Sequence, residues 1–375
     1  MSSEDNTSKR PVRVWCDGCF DVVHYGHANS LRQAKEMGDV LVVGVHNDAD
    51  ITEFKGPPVF TEDERYKMVR AVKWVDEVVE GSTYWPSADT LVEYNCDFAA
   101  HGDDLSVATN GQDPYERLLK ANKLRFFKRT EGVSTTDIVD RLLRVSLNLC
   151  NPADNSSGFE HSSKTTPNST ICDNLSPMPA FFASSRKIAQ FSSGCSPAKT
   201  DKIIYTSGDF DLFHPGHLDL LKKAKAEGDY LIVGVYTDEV VHERSQSVFP
   251  LMNVHERTLS LLACRYVDEV VINAPYFITN DFLNQFNVTT VCHGIESRFR
   301  SGADPYSIPK KKGIFKLIDS ENTLTIETII QRIQSNYSKF VERNQKKAIR
   351  EEKFGTFEEK LKECTANIDQ PAMPF

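Results

Sequence analysis

The chain has 375 residues, 40% of them hydrophobic, and a formal net charge of -9. That length allows two ordinary domains with separate cores, and the acidic balance argues against broad nucleic-acid binding. No apolar run is long enough to span a bilayer, and nine scattered cysteines suit reduced thiols rather than a disulfide framework.

The polar N-terminus MSSEDNTSKRPVR shows no apolar signal region. A cytoplasmic protein is expected, with a peripheral place at the endoplasmic reticulum left open. A short strand over Arg13 to Cys16 leads into CDGCFDVVHYGH, residues 16–27. Two cysteines and two histidines this close together suit a metal site, a redox pair or a phosphate site. A helix is expected from about Gly26 to Met37. DVLVVGVH (39–46) is a continuous apolar run with β-branched residues, the pattern of a strand buried on both faces and hence of a parallel sheet. FKGPP (54–58) is a shaped loop that carries Lys55. TEDERYKMVRAV (61–72) opens on a threonine and acidic residues and reads as a helix. DEVVE is then a strand, SADTLVEY a helix and CDFAAHG a strand. In RTEGVSTTDIVDRLL (129–143), Gly132 permits a sharp turn, and Ser134, Thr135 and Thr136 open another helix in a capping-box arrangement with Asp137. Alternating strands and helices predict an α/β architecture with a doubly wound parallel sheet, whose ligands gather at the carboxyl ends of the strands.

Residues 146–200 are rich in Ser, Asn, Thr and Pro and read as a flexible linker. Within them Phe181, Ile188 and Phe191 suit a short helix docked on a domain. The earlier pattern then begins again. IIYTSGDFDLFHPGH (203–217) repeats RVWCDGCFDVVHYGH (13–27), and the correspondence continues through 222–238, 256–272 and CHGIE (292–296) at an offset of 190 to 192 residues. This is a duplicated domain: 11–145 and 201–338, two tandem Rossmann-like units. A charged tail, 339–375, reads as a solvated surface helix.

The repeat bears on the first motif. Cys16 and Cys19 are answered by Thr206 and Asp209, whereas both histidines are answered by histidines. No zinc site is expected; the cysteines read as small residues in a tight turn. His24, Gly26 and His27 instead follow a strand and open a helix, where free N–H groups and the dipole favour anions. The hydroxyls of Ser134 and Thr135 dress a second helix start, and Arg129 offers a fork for phosphate. Arg65 faces the same ligand or the surface. There is neither a Walker loop nor a Gly-x-Gly-x-x-Gly.

These motifs resemble the cytidylyltransferase branch of the His-x-Gly-His nucleotidyltransferases, through His24-Tyr25-Gly26-His27 and Arg129 to Thr136, and the match covers nearly the whole chain. Tandem domains with a short tail look like the members that act on phosphoethanolamine. The resemblance implies that CTP and phosphoethanolamine give CDP-ethanolamine and pyrophosphate, with Mg²⁺ on the triphosphate, in phosphatidylethanolamine synthesis. It implies that His24, His27, Lys55 and Arg129 stabilise the reacting phosphates. Gly18, Phe20 and Asp21 would then shape the nucleotide pocket, with His101, Gly102 and Asp103 beside it. Tyr84 or Trp85 with a nearby carboxylate would take the ammonium. Asp209, Phe210, His214, His217 and His293 form the corresponding second pocket. There Ser245 stands opposite Lys55, Ser320 opposite Arg129 and Thr323 opposite Gly132, so the second domain is expected to be catalytically silent. Phosphocholine as acceptor and a nucleotide sensor without catalysis are the alternatives. No nucleic-acid partner is expected, membrane contact is at most peripheral, and a homodimer stays open.

Overall fold

The structure is a computed structural model that describes residues 10–103, 113–150, 180–245, 249–295 and 303–354. Residues 151–179, most of the expected linker, and the tail beyond 354 lie outside the described residues. The chain divides into two compact units: Met1–Val139 together with Ser335–Phe375, and Asp140–Gln334. Among the described residues no helix is long and apolar enough to cross a membrane.

The first domain runs β1 (Arg13–Gly18), α1 (Tyr25–Lys35), β2 (Val40–Val45), α2 (Asp48–Phe54), α3 (Glu62–Arg70), β3 (Glu77–Glu80), α4 (Ala88–Glu93), β4 (Phe98–Gly102), α5 (Glu116–Lys120), β5 (Leu124–Phe127) and α6 (Thr135–Cys150). Its five strands are all parallel, in the order β3-β2-β1-β4-β5. The order reverses between β1 and β4, so the crevice at their carboxyl ends is where a ligand belongs. β2 reads VLVVGV and is buried along almost its whole length, as its unbroken apolar run requires in a sheet covered on both faces. Trp15, Val42, Ala99, Leu118 and Tyr115 fill one side of the core. The sequence pattern gave no sign of α2, α5 or β5. Each is four to seven residues long, too short for periodicity to register.

The second domain repeats the plan. It comprises α7 (Ala180–Phe191), β6 (Ile203–Gly208), α8 (Pro215–Lys225), β7 (Tyr230–Val235), α9 (Asp238–Ser245), α10 (Val254–Leu262), β8 (Glu269–Ile272), α11 (Asn280–Gln285), β9 (Val288–Gly294), α12 (Ser307–Lys311), β10 (Phe315–Ile318) and α13 (Ile326–Ser335). Its sheet order is β10-β9-β6-β7-β8, the same topology in reverse listing. The chain therefore has the expected two tandem doubly wound α/β domains. The short helix at 180–191 packs on α10, with Phe191 buried. The last helix, α14 (Tyr337–Phe354), belongs to the first unit.

In both domains the turn after the first strand is strained. Phe20 and Val22, and likewise Phe210 and Leu212, have φ between 46° and 49°, a left-handed conformation that costs a bulky or β-branched residue about 1–3 kcal/mol. The carboxylate between each pair holds the turn. Asp21 accepts the N–H groups of Val59 and Phe60 at 3.0 Å, and Asp211 accepts those of Leu251 and Met252 at 2.6 and 2.8 Å.

Candidate active site

The strained turn delivers the chain to the start of α1, where His24 is the N-cap and its Nδ1 accepts the N–H of Gly26 at 3.1 Å. The N–H of His24 in turn donates to Nδ1 of His27 at 3.4 Å. This is a capping box built from imidazoles. It fixes both tautomers: with each Nδ1 accepting, the ring proton sits on Nε2. The rings stack with centroids 3.9 Å apart. Loss of solvation pushes the pKa of His27 down to about 3, and the charges of Lys55, Arg129 and Lys347 act in the same direction. His27 therefore presents a neutral N–H donor at neutral pH.

The start of α6 lies against the start of α1. A Cβ on Gly26 would come within 2.8 Å of both the Val133 side chain and the His24 ring, so only glycine allows the approach. Asn29 donates to Thr130 at 2.8 Å and Gln33 to the carbonyl of Lys128 at 2.9 Å, which ties the Arg129 loop to α1. Gly132 takes φ +82° in that loop. The N–H of Arg129 donates to Asp103 at 2.8 Å, so Asp103 anchors the loop while the Arg129 side chain is exposed. Ser134 caps α6 through Asp137, and Thr135 Oγ1 donates to the carbonyl of Asp21 at 3.2 Å.

Two residues expected at the nucleotide are committed to the scaffold. Arg65 is fully buried, donating to the carbonyl of Cys19 at 2.7 Å and pairing with Asp48 at 2.9 Å. Asp21 is buried and occupied by the loop N–H groups. Both hold the turn that leads into α1. The second domain repeats the device, with Arg257 donating to the carbonyl of Asp209 and pairing with Asp238. Cys16 is buried and Cys19 partly so, both as free thiols. No group of three potential ligands is arranged for a metal ion among the described residues.

Beside Lys55 the sequence reading missed a carboxylate. Asp17, near the carboxyl end of β1, is buried. Its Oδ1 accepts the Tyr115 hydroxyl at 3.1 Å, and its Oδ2 lies 3.9 Å from His46 Nε2 with no donor at bonding geometry among the described residues. Burial pushes its pKa up to about 7, opposed by the Tyr115 hydroxyl and the charge of Lys55. Tyr84 stacks on Phe54 at 4.6 Å and meets the His46 ring at 5.1 Å. Lys55 lies 5.9 Å over the Tyr84 ring. Trp85 meets Phe54 edge-on, and His101 lies 4.2 Å from Tyr115. The signal available in the sequence was an acid closing an otherwise apolar strand, a placement that needs a partner.

The second copy departs at these positions. Ser207 stands in the register of Asp17, with its Oγ 3.0 Å from the Tyr236 hydroxyl and 3.4 Å from that of Tyr306. The Tyr306 hydroxyl also contacts His293 Nδ1 at 3.0 Å. Arg244, one residue before Ser245, is a cation that the register comparison overlooked. It pairs with Asp209 at 2.7 Å and lies over the rings of Tyr236 and Tyr276. His214 still caps its helix through the N–H of Gly216 and stacks on His217 at 3.9 Å. His217 Nδ1, however, lacks the backbone bond that fixes His27. Phe210 keeps its edge contact with His217.

A family model described as cytidylyltransferase-like matches residues 15–141 and again 205–341. The chain is 50% identical over 356 residues to the ethanolamine-phosphate cytidylyltransferase of Dictyostelium discoideum, covering 93% of this chain and 98% of that protein. It is 46% identical over 369 residues to the mouse (Mus musculus) protein of the same name, covering 92% and 91%. Human choline-phosphate cytidylyltransferase A is 39% identical over 145 residues, covering 38% of this chain and 40% of that protein.

Proposed function

The chain belongs to the cytidylyltransferase-like family, and from that premise we propose that it transfers the cytidylyl group of CTP to phosphoethanolamine, giving CDP-ethanolamine and pyrophosphate. The phosphate oxygen of phosphoethanolamine attacks the α-phosphorus, and the bond to the β-phosphate oxygen breaks as pyrophosphate leaves. The nucleophile is already anionic at neutral pH, so no general base is needed. The observation that carries this reading is the pair of imidazoles at the start of α1, each with its proton on Nε2. Fixed donors aimed at the phosphorus oxygens stabilise the five-coordinate state more than the ground state. Lys55 draws the two phosphates together, and Arg129 with the start of α6 receives the outer phosphates. Mg²⁺ arrives on CTP as part of the substrate, where it would take phosphate oxygens and water as ligands.

Phosphoethanolamine carries both signs, and the pocket beside Lys55 offers both. Lys55 takes the phosphate, and Asp17 accepts the ammonium N–H groups against the rings of Tyr84 and Tyr115. A trimethylammonium group has no N–H to give and needs a wider aromatic cage. This favours phosphoethanolamine over phosphocholine, as do the relatives that match more than nine-tenths of the chain. The second domain, with Ser207 in place of the acid and Arg244 tied to Asp209, does not turn over.

The test is pyrophosphate release from CTP or ATP, each with phosphoethanolamine or phosphocholine, in the presence of magnesium. Release with CTP and phosphoethanolamine is expected to dominate; dominance of phosphocholine overturns the acceptor assignment.

The raised pKa of Asp17 gives a pH signature. Between the ordinary carboxylate range and about 7, the folded state holds a proton that the unfolded chain has released. Stability therefore falls as pH rises through that window and levels off above it. An ammonium bound at Asp17 favours the carboxylate, so the KM for phosphoethanolamine should fall as pH rises from about 6 to about 8. In Asp17→Asn that KM rises about tenfold or more. The pH dependence that remains is that of the substrate phosphate, whose second pKa is near 6. An unchanged profile in Asp17→Asn removes Asp17 from the acceptor pocket.

A further inference from the structure

The tail helix α14 reaches the phosphate-binding loops of its own unit. Arg343 Nη1 donates to the carbonyl of Pro57 at 2.7 Å and to Asp21 Oδ2 at 3.2 Å. The two side chains of this ion pair are 12% and 6% exposed, so it is not a solvated surface contact. The aliphatic stem of Arg343 lies against Gly56, where a Cβ would come within 3.0 to 3.3 Å of three of its carbons. Gly56 itself takes φ +100°. The loop after Lys55 is thus held at Pro57 by Arg343 and at Val59 and Phe60 by Asp21, and Arg343 also joins Asp21. One turn farther along α14, Lys347 Nζ donates to Thr136 Oγ1 at 2.8 Å. Phe340, on the same helix, is 2% exposed.

Lys347 brings a cation to a helix start whose first turn also carries Asp137. The amino end of a helix is positive and favours anions, yet a lysine is brought to the first turn of α6. The charges of Lys55, Arg129 and Lys347 all act on His27. Such a convergence is stabilised when an anion of high charge sits among the cations. Resting on the reading above, we propose that α14 is a working part of the first domain's phosphate site: Lys347 binds the outer phosphates of the triphosphate at the start of α6, and Arg343 is a positioning residue that sets the loop carrying Lys55.

The test uses the full chain with CTP and phosphoethanolamine, following pyrophosphate release and thermal melting in parallel. Lys347→Gln should raise the KM for CTP about five- to tenfold with kcat little changed, and should weaken the dependence of that KM on salt. Arg343→Gln should lower kcat about tenfold, with Arg343→Lys recovering part of it because the donor and charge return without the fork. Glu342→Gln, on the same helix in an exposed pair with Lys346, should behave as wild type. The proposal is overturned if Lys347→Gln and Arg343→Gln match Glu342→Gln, or if their losses vanish at temperatures well below their melting transitions. Wild-type protein that releases no pyrophosphate sinks the parent reading and this one with it. An active wild type with an unaltered Lys347→Gln sinks this one alone.

Discussion

Alanine at His27 is expected to lower kcat about a hundredfold or more while the fold survives, and alanine at His217 to leave the rate within about twofold. The expectation comes from how each ring is held. At the start of α1 the backbone N–H of His24 points at Nδ1 of His27, so the proton is fixed on Nε2 before any ligand arrives. A donor set in advance costs nothing to orient in the transition state, the condition under which it contributes most. His217 lacks that backbone bond, Ser207 stands at the Asp17 position, and Arg244 is paired with Asp209. His27→Gln separates the donor from the base: a glutamine amide keeps an N–H and should retain more activity than alanine. Steady-state rates of pyrophosphate release for the three variants decide the matter. Equal losses at His27 and His217 would remove the asymmetry between the domains, and a glutamine variant no better than alanine would remove the donor role.

Lys55→Ala should reduce kcat/KM about a thousandfold, the upper range for losing one preorganised group on a developing charge. The residue ends α2 as its C-cap, and its charge acts on Asp17 and on His27 alike. Under the proposed reaction these two groups belong to the acceptor pocket and the histidine pair, and a cation acting on both would offset the repulsion between the two phosphates. The competing role is packing, since its ammonium lies over Tyr84, but such a contact is worth about 0.5–1 kcal/mol at a partly exposed site. The melting temperature should consequently move little while the rate collapses. Lys55→Arg should recover only part, because a planar fork does not replace a compact ammonium. Kinetics and a thermal melt on the same samples separate the two roles, and a rate within tenfold of wild type would leave Lys55 a packing residue.

Much of this was legible in the residues because the strongest signals were local. The apolar run of β2, the threonine cap of α3 and the His-x-Gly-His between strand and helix each carry their meaning within a dozen positions. What stayed hidden depends on contacts far apart in sequence. Arg343 meets Asp21 across 322 positions, and nothing in KFVERNQKKAIR sets it apart from a charged surface helix. Arg65 reads as a ligand contact or a surface residue, yet the turn at Cys19 bends over it and leaves it fully buried. Asp17 is hidden in the sequence because the apolar residues before it set the pattern of its strand. Arg244 was missed because alignment by offset fixes a position, whereas a guanidinium on a long stem reaches across one residue of slippage.

The first unit is assembled from the two ends of the chain, with Asp140–Gln334 inserted between them. On the ribosome its five strands emerge early, while α14 emerges only after the whole inserted domain has been made. Domains generally fold as units during synthesis, amino-terminal first, so here the loop at Pro57 and the start of α6 must wait for their contacts with α14 until the inserted unit has been translated. A nascent chain interrupted anywhere before Arg343 would carry every histidine of the motif and still lack the helix that closes the loop beside Lys55.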